Sequence, residues 1–363
     1  MADMDFNAGV RRAEPSTSTH SQGKTRNAAF DGLRGIAAIS VVMLHLKATG
    51  LYPFPGENHA VDLFFVLSGF VVAQAYDRRI LANGVLPFMR LRLERLYPLY
   101  AVSLLIVPAF SLFIAAISKG HGIDPAIWIS LPFQALYLPS PPAIVPHDRP
   151  AFLLNGPGWS LFWELAINVA YAVALPKLRN RVLFIVAGVA GIAAIDLALS
   201  GISTEAGSDW PTFYIGGIRV LFGFSVGVLI YRYPKPRFAL PFLVIAALAA
   251  CTLFMPGIVS MLVMMPLIVW LSSGYRSHSA TLYHLGRLSY PLYAIHIPLF
   301  PCVFWLAGRQ LHLPLIIQGL AALSTAMLAA WILAFGDDRI QKWFADRRIS
   351  KRVLPAEELP RPA

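Results

Sequence analysis

Stretches of about 20 apolar residues recur almost from end to end of this chain, and no other feature constrains its fold so tightly. A segment crossing hydrocarbon must satisfy every backbone N–H and C=O internally, which leaves the α-helix as the natural spanning element here. Ten candidates lie near 31–50, 60–76, 97–117, 158–176, 182–200, 211–231, 238–254, 256–273, 289–307 and 313–335. The seventh and eighth are the least separated, since only Pro256-Gly257 interrupts them. Only 13% of the 363 residues are charged, against about 25% in an ordinary soluble domain. The expected fold is all-α, a polytopic transmembrane bundle with about ten spans.

Loops kept in the cytoplasm carry the excess of Lys and Arg. With both termini inside, that rule collects Arg78 and Arg79, Arg90 to Arg95, Lys177 to Arg181, Arg232 to Arg237, Arg276, Arg287 and the tail from Arg339 to Arg361 on one side. The other side keeps only Lys47, Lys119, Arg149 and Arg309. The net charge of +11 is therefore topological, and nucleic acid is excluded as its partner. Residues 1–27 are polar without an apolar core, so a disordered cytoplasmic tail and no cleavable leader are expected. Residues 28–335 form the membrane domain and 336–363 a basic cytoplasmic tail. Cys251 and Cys302 sit in apolar runs as packing residues, and no metal-ligand spacing occurs.

Charge inside such spans is costly and usually faces a protein interior or a cavity. In "FDGLRGIAAISVVMLHL", Arg34 and His45 are eleven residues apart, hence within roughly 20° of one helix face and about 16 Å apart along it. Asp31 shares that face. The second span, "HAVDLFFVLSGF", carries Asp62 at a depth approaching that of His45, while Gly69 permits a close helix approach and Ser68 reads as packing. "FMRLRLERLYPLY" places Arg90, Arg92 and Arg95 at the inner entrance of the third span, more guanidinium than topology requires and well suited to phosphate. "GPGWSLFWELAINVAY" puts Ser160, Glu164 and Asn168 on one stripe, with Glu164 expected in the outer half near His45. "LSYPLYAIHIPLF" sets Ser289, Tyr293 and His296 on another, and its prolines free carbonyls that need new partners.

Asp196 and Arg219 are expected to form an ion pair between the fifth and sixth spans. The segment 118–157, rich in Pro, reads either as a plain interfacial loop or as a lid or acceptor rim. His20, His121, His147, His278, His284 and His312 fall in tails, loops or surfaces and are expected to be solvated.

Five of these stretches together resemble the acyltransferase 3 family of membrane acyltransferases: "FDGLRG" leading to Arg34 and His45, then "VDLFFVLSGF", "RLERLYP", "WSLFWE" and "SYPLYAIH", in that order. The resemblance covers Phe30 to about Phe335. It implies a multi-pass enzyme of the bacterial inner membrane that moves an acyl group, most often acetyl, from cytoplasmic acyl-CoA to a hydroxyl of an extracytoplasmic carbohydrate such as exopolysaccharide, O-antigen or lipochitooligosaccharide. It also implies essential roles for Arg34 and His45.

Residues and resemblance combine into one expectation. Acetyl-CoA phosphates dock on Arg34, Arg90, Arg92 and Arg95, with Tyr293 and His296 as further donor contacts. His45 is the general base, oriented by Glu164 or Asp62. Membrane lipids, acyl-CoA and a carbohydrate acceptor are the expected partners, no metal is required, and there is room for a homo-oligomer. The competing class is a transporter or flippase for an anionic or sugar-linked solute, with buried His and Glu relaying protons. A non-catalytic assembly subunit is the third.

Overall fold

A computed structural model of the chain describes residues 27–54, 59–118, 124–145, 149–236, 238, 240–275 and 278–353. The expectations for the N-terminal tail, for His121 and His147 and for the last ten residues lie outside the described residues. The described chain is nearly all helix, with no β-strand and one isolated bridge, Pro150 to Asp209. In order, the helices are α1 Ala28–His45, α2 Ala60–Asn83, α3 Val85–Ile117, α4 Pro125–Ala135, α5 Gly158–Ala174 and α6 Asn180–Leu199. There follow α7 Phe213–Arg232, α8 Phe242–Cys251, α9 Gly257–Val259, α10 Met265–Ser273, α11 Ala280–Phe304 and α12 Leu315–Val353.

Among the described residues, eight helices are long and apolar enough to cross a membrane. The two segments flanking Pro256 form shorter apolar helices, over Phe242–Phe254 and Gly257–Ser273. α1, α2 and α7 are the most enclosed, whereas α3, α6 and α12 turn large apolar side chains such as Phe184, Ile192 and Trp331 outward. In hydrocarbon that exposure is the expected outer surface.

The tightest contact in the bundle joins α2 to α7. A Cβ at Gly69 would stand 2.1 Å from the Phe224 carbonyl oxygen, and one at Gly227 2.1 Å from that of Val66. Only glycine lets the two backbones approach so closely, as small-residue helix interfaces in membranes require. α1 and α11 run side by side, with Asp31 beside Gly286 and His45 beside His296.

Two of the helix-interior prolines find specific compensation. Pro298 cannot bond the Ala294 carbonyl one turn back, and Asn155 Nδ2 donates to it at 2.9 Å. Pro98 likewise frees the Glu94 carbonyl, which accepts from Gln341 Nε2 at 3.1 Å.

The described part of segment 118–157 is not a plain interfacial loop. Asp124 caps α4, and the chain after it turns inward through Tyr137, a non-glycine residue with φ 57°. Val145, Phe152, Leu154 and Asn155 are completely buried. Buried Gln134 ties the turn together by donating to Ser140 Oγ at 2.8 Å and accepting from Leu154 N at 3.1 Å. Tyr137 stacks on Tyr100 of α3 with centroids 4.1 Å apart. These buried residues pack part of the described segment into the bundle.

α12 also departs from expectation. The apolar run ends near Phe335, but the helix continues to Val353, so residue 335 is no structural boundary. The continuation docks against α3 through Arg95 to Asp337 at 2.5 Å and Arg348 to Glu94 at 2.7 Å.

Candidate active site

A cavity of about 290 Å³ opens between α1, α2, α3, α5 and α11. Arg34, Arg92, Arg95, Ser160, Glu164 and Tyr293 line it. A second cavity of about 640 Å³, at the basic end of the bundle, shares Tyr76 and Arg95 with the first and adds Arg90. The guanidiniums that the sequence singled out thus surround two adjoining hollows. Arg92 pairs with Glu164, and Arg90 with Glu94 at 2.7 Å.

Glu164 is shallower than its place in the span predicts. Because residues 151–158 are buried or nearly so, α5 begins inside the bundle: Trp159 lies against Arg219, and Ser160 Oγ meets the Tyr293 hydroxyl at 2.6 Å. One turn further on, Glu164 reaches Arg92, with Ser68 Oγ donating to it at 3.0 Å. Ser68 therefore lines the cavity as well as packing. Ser160 donates its proton to the Pro157 carbonyl at 2.9 Å, so in its contact with Tyr293 the phenol is the donor.

Asp62 has a different set of partners. Both its oxygens are taken by Arg219, at 2.9 and 2.8 Å, and His59 Nδ1 adds a contact at 2.7 Å. Arg219 also donates to the Glu205 and Ala206 carbonyls and lies over the Trp159 ring. This corrects the expected pairing of Arg219 with Asp196, which is exposed on α6. The i, i+7 and i, i+4 rules place residues on a face, but they do not say which helix that face meets.

His45 ends α1, and its ring lies 5.1 Å, centroid to centroid, from that of His296. His296 is fully buried, whereas His45 is exposed. His45 Nδ1 lies 2.8 Å from the Val41 carbonyl, and His296 Nδ1 lies 3.0 Å from those of Leu292 and Tyr293. A carbonyl only accepts, so each Nδ1 carries the proton and each neutral ring presents a lone pair at Nε2. The Nε2 of His296 is buried without a hydrogen-bond partner. The orienting role expected of Glu164 or Asp62 therefore falls to a backbone carbonyl, because both carboxylates are engaged elsewhere. Tyr293 bridges the cavity and the imidazoles, its ring 6.1 Å from that of His296.

The cavity thus runs from the arginines to the Ser160–Tyr293 hydroxyl pair, and the two imidazoles lie behind Tyr293, outside its lining. His278, His284 and His312 are exposed. The sequence reading missed Asp337, Gln341 and Arg348, although their spacing of four and seven residues puts them on one helix face. The end of the apolar run hid that signal.

Residues 27–335 match the family model described as an acyltransferase domain, that of acyltransferase 3. The chain belongs to the acyltransferase 3 family. It is 27% identical over 337 residues to acyltransferase MdmB of Streptomyces mycarofaciens, covering 82% of this chain and 81% of that one. It is also 34% identical over 153 residues to protein 2 in the picA locus of Rhizobium radiobacter, covering 39% of this chain and 79% of the relative. No solved structure matches it. This acyltransferase is a multi-pass membrane protein, and the match to its family domain ends at residue 335, inside α12.

Proposed function

We propose that this acyltransferase moves an acyl group, acetyl in the simplest case, from cytoplasmic acyl-CoA to a hydroxyl of an extracytoplasmic carbohydrate in the bacterial inner membrane. The observation that supports this reading most is the cavity that Arg34, Arg92 and Arg95 line and that reaches Tyr293, whose ring lies beside the His296–His45 pair. A donor with phosphates at one end and a thioester at the other suits it. The phosphates meet the arginines by forked, charge-assisted hydrogen bonds. The pantetheine arm lies along the cavity beside Tyr293, and the thioester reaches the imidazoles.

His45 is the general base, because it is the exposed member of the pair and its proton is fixed on Nδ1 by Val41. It takes the proton of the acceptor hydroxyl as the oxygen attacks the thioester carbon. The C–S bond then breaks, and the thiolate leaves with the donor. His296 backs His45 and stabilises the charge it gains. A thioester is already activated, so holding the two substrates in line supplies most of the remaining acceleration.

Mass spectrometry of surface glycans from cells with wild-type protein, His45→Ala protein or none tests this reading. Loss of an acetyl-sized mass both without the protein and with the variant is the expected result. An intact acetyl mass with the variant overturns the assignment of the base.

A further inference from the structure

The wider cavity is built partly from the helix that extends beyond the family domain. Arg348 and Gln341 of α12 line it, together with Arg79 of α2 and Arg90 and Arg95 of α3. The extension is fixed there by three contacts: Asp337 to Arg95, Gln341 to the carbonyl that Pro98 frees, and Arg348 to Glu94. Four guanidiniums thus face two carboxylates, Glu94 and Asp337, and the balance around the cavity is positive. Glu94 engages Arg90 through Nε and Arg348 through one Nη, whereas a guanidinium has five N–H donors. Tyr76, half-buried, offers a ring to the same hollow, backed by the buried ring of Phe88 with centroids 5.3 Å apart.

We infer that the extension of α12 completes a binding site for a nucleotide carrying more than one phosphate, with Arg348 and Arg79 as phosphate ligands alongside Arg90 and Arg95. Bare phosphate has no use for the Tyr76 ring, but a purine does. The inference rests on the reading that an acyl-CoA is the donor, since the nucleotide part of that donor is the class of ligand the site fits. Arg348 of the extension and Arg79 of α2 set the affinity for the donor without touching the acyl group.

Calorimetric titration of the full-length protein in nanodiscs with adenosine 3′,5′-bisphosphate tests this. Arg348→Gln and Arg79→Gln should each weaken binding about tenfold, the loss of one charge-assisted contact, and His45→Ala should leave it unchanged. Affinity unchanged in both arginine variants, or no binding by the wild type, overturns the inference. Phosphate from a lipid headgroup is the other source, so the titration is run in phosphatidylcholine and in phosphatidylglycerol. Equal affinity in both supports the nucleotide, and displacement by phosphatidylglycerol overturns it. Arginine-dependent binding without acyl transfer would leave the site standing and sink the proposed reaction; transfer with unchanged binding in the variants would do the reverse.

Discussion

Asp62→Asn separates a structural carboxylate from a catalytic one. Asp62 and Arg219 are each about 1% exposed, and the carboxylate takes two hydrogen bonds from the guanidinium and one contact from His59. Asparagine keeps the shape but leaves Arg219 as a buried cation without its counter-charge. Removing one partner of such a pair costs about 3–5 kcal/mol. At roughly 2–4 °C per kcal/mol for a chain of this class, the unfolding midpoint should fall by on the order of 10 °C. The assay is thermal unfolding of purified protein followed by its intrinsic tryptophan fluorescence, with glycan acetylation measured in parallel below the midpoint. A large fall in the midpoint, with transfer retained by the folded fraction, is expected. An unchanged midpoint with transfer abolished would refute the reasoning and put Asp62 in the chemistry. Combining Asp62→Asn with Arg219→Gln removes both charges, so the double variant should lose less than the two single losses added together.

Other perturbations give equally distinct outcomes. His45→Ala should lower transfer by roughly 10²- to 10⁴-fold, the usual share of a general base, while acetyl-CoA still raises the unfolding temperature. Arg92→Ala leaves Glu164 without its guanidinium partner in the cavity and should raise the KM for acetyl-CoA about tenfold or more, read from initial rates against donor concentration. Gly69→Val drives a side chain into the Phe224 carbonyl and should destabilise the α2–α7 contact by about 3 kcal/mol, seen as lower yield and an earlier unfolding transition. Tyr293→Phe removes the donor to Ser160 and should cost about 1 kcal/mol in stability, with a several-fold rise in the KM for acetyl-CoA.

Hydrophobic run length determined the helical bundle, and eight of the expected spans recur as long apolar helices. The short-range chemistry was equally legible: the arginine cluster, the close approach at Gly69, and prolines whose freed carbonyls demand partners. All of these follow from spacing along one helix, which the sequence states directly.

Partners across helices were not legible. Arg219 met Asp62 instead of Asp196, and Glu164 met Arg92 instead of His45, because the buried residues 151–158 set the start of α5 away from the surface. Hydropathy measures how greasy a segment is, and it is blind to where in the bundle a helix begins. It also stops at Phe335, although α12 runs on and brings Arg348 to the arginines of α3. A backbone carbonyl does for His45 what a carboxylate was expected to do. Residue type alone cannot announce that role, since every residue carries the same carbonyl and only the folded chain decides which one an imidazole meets.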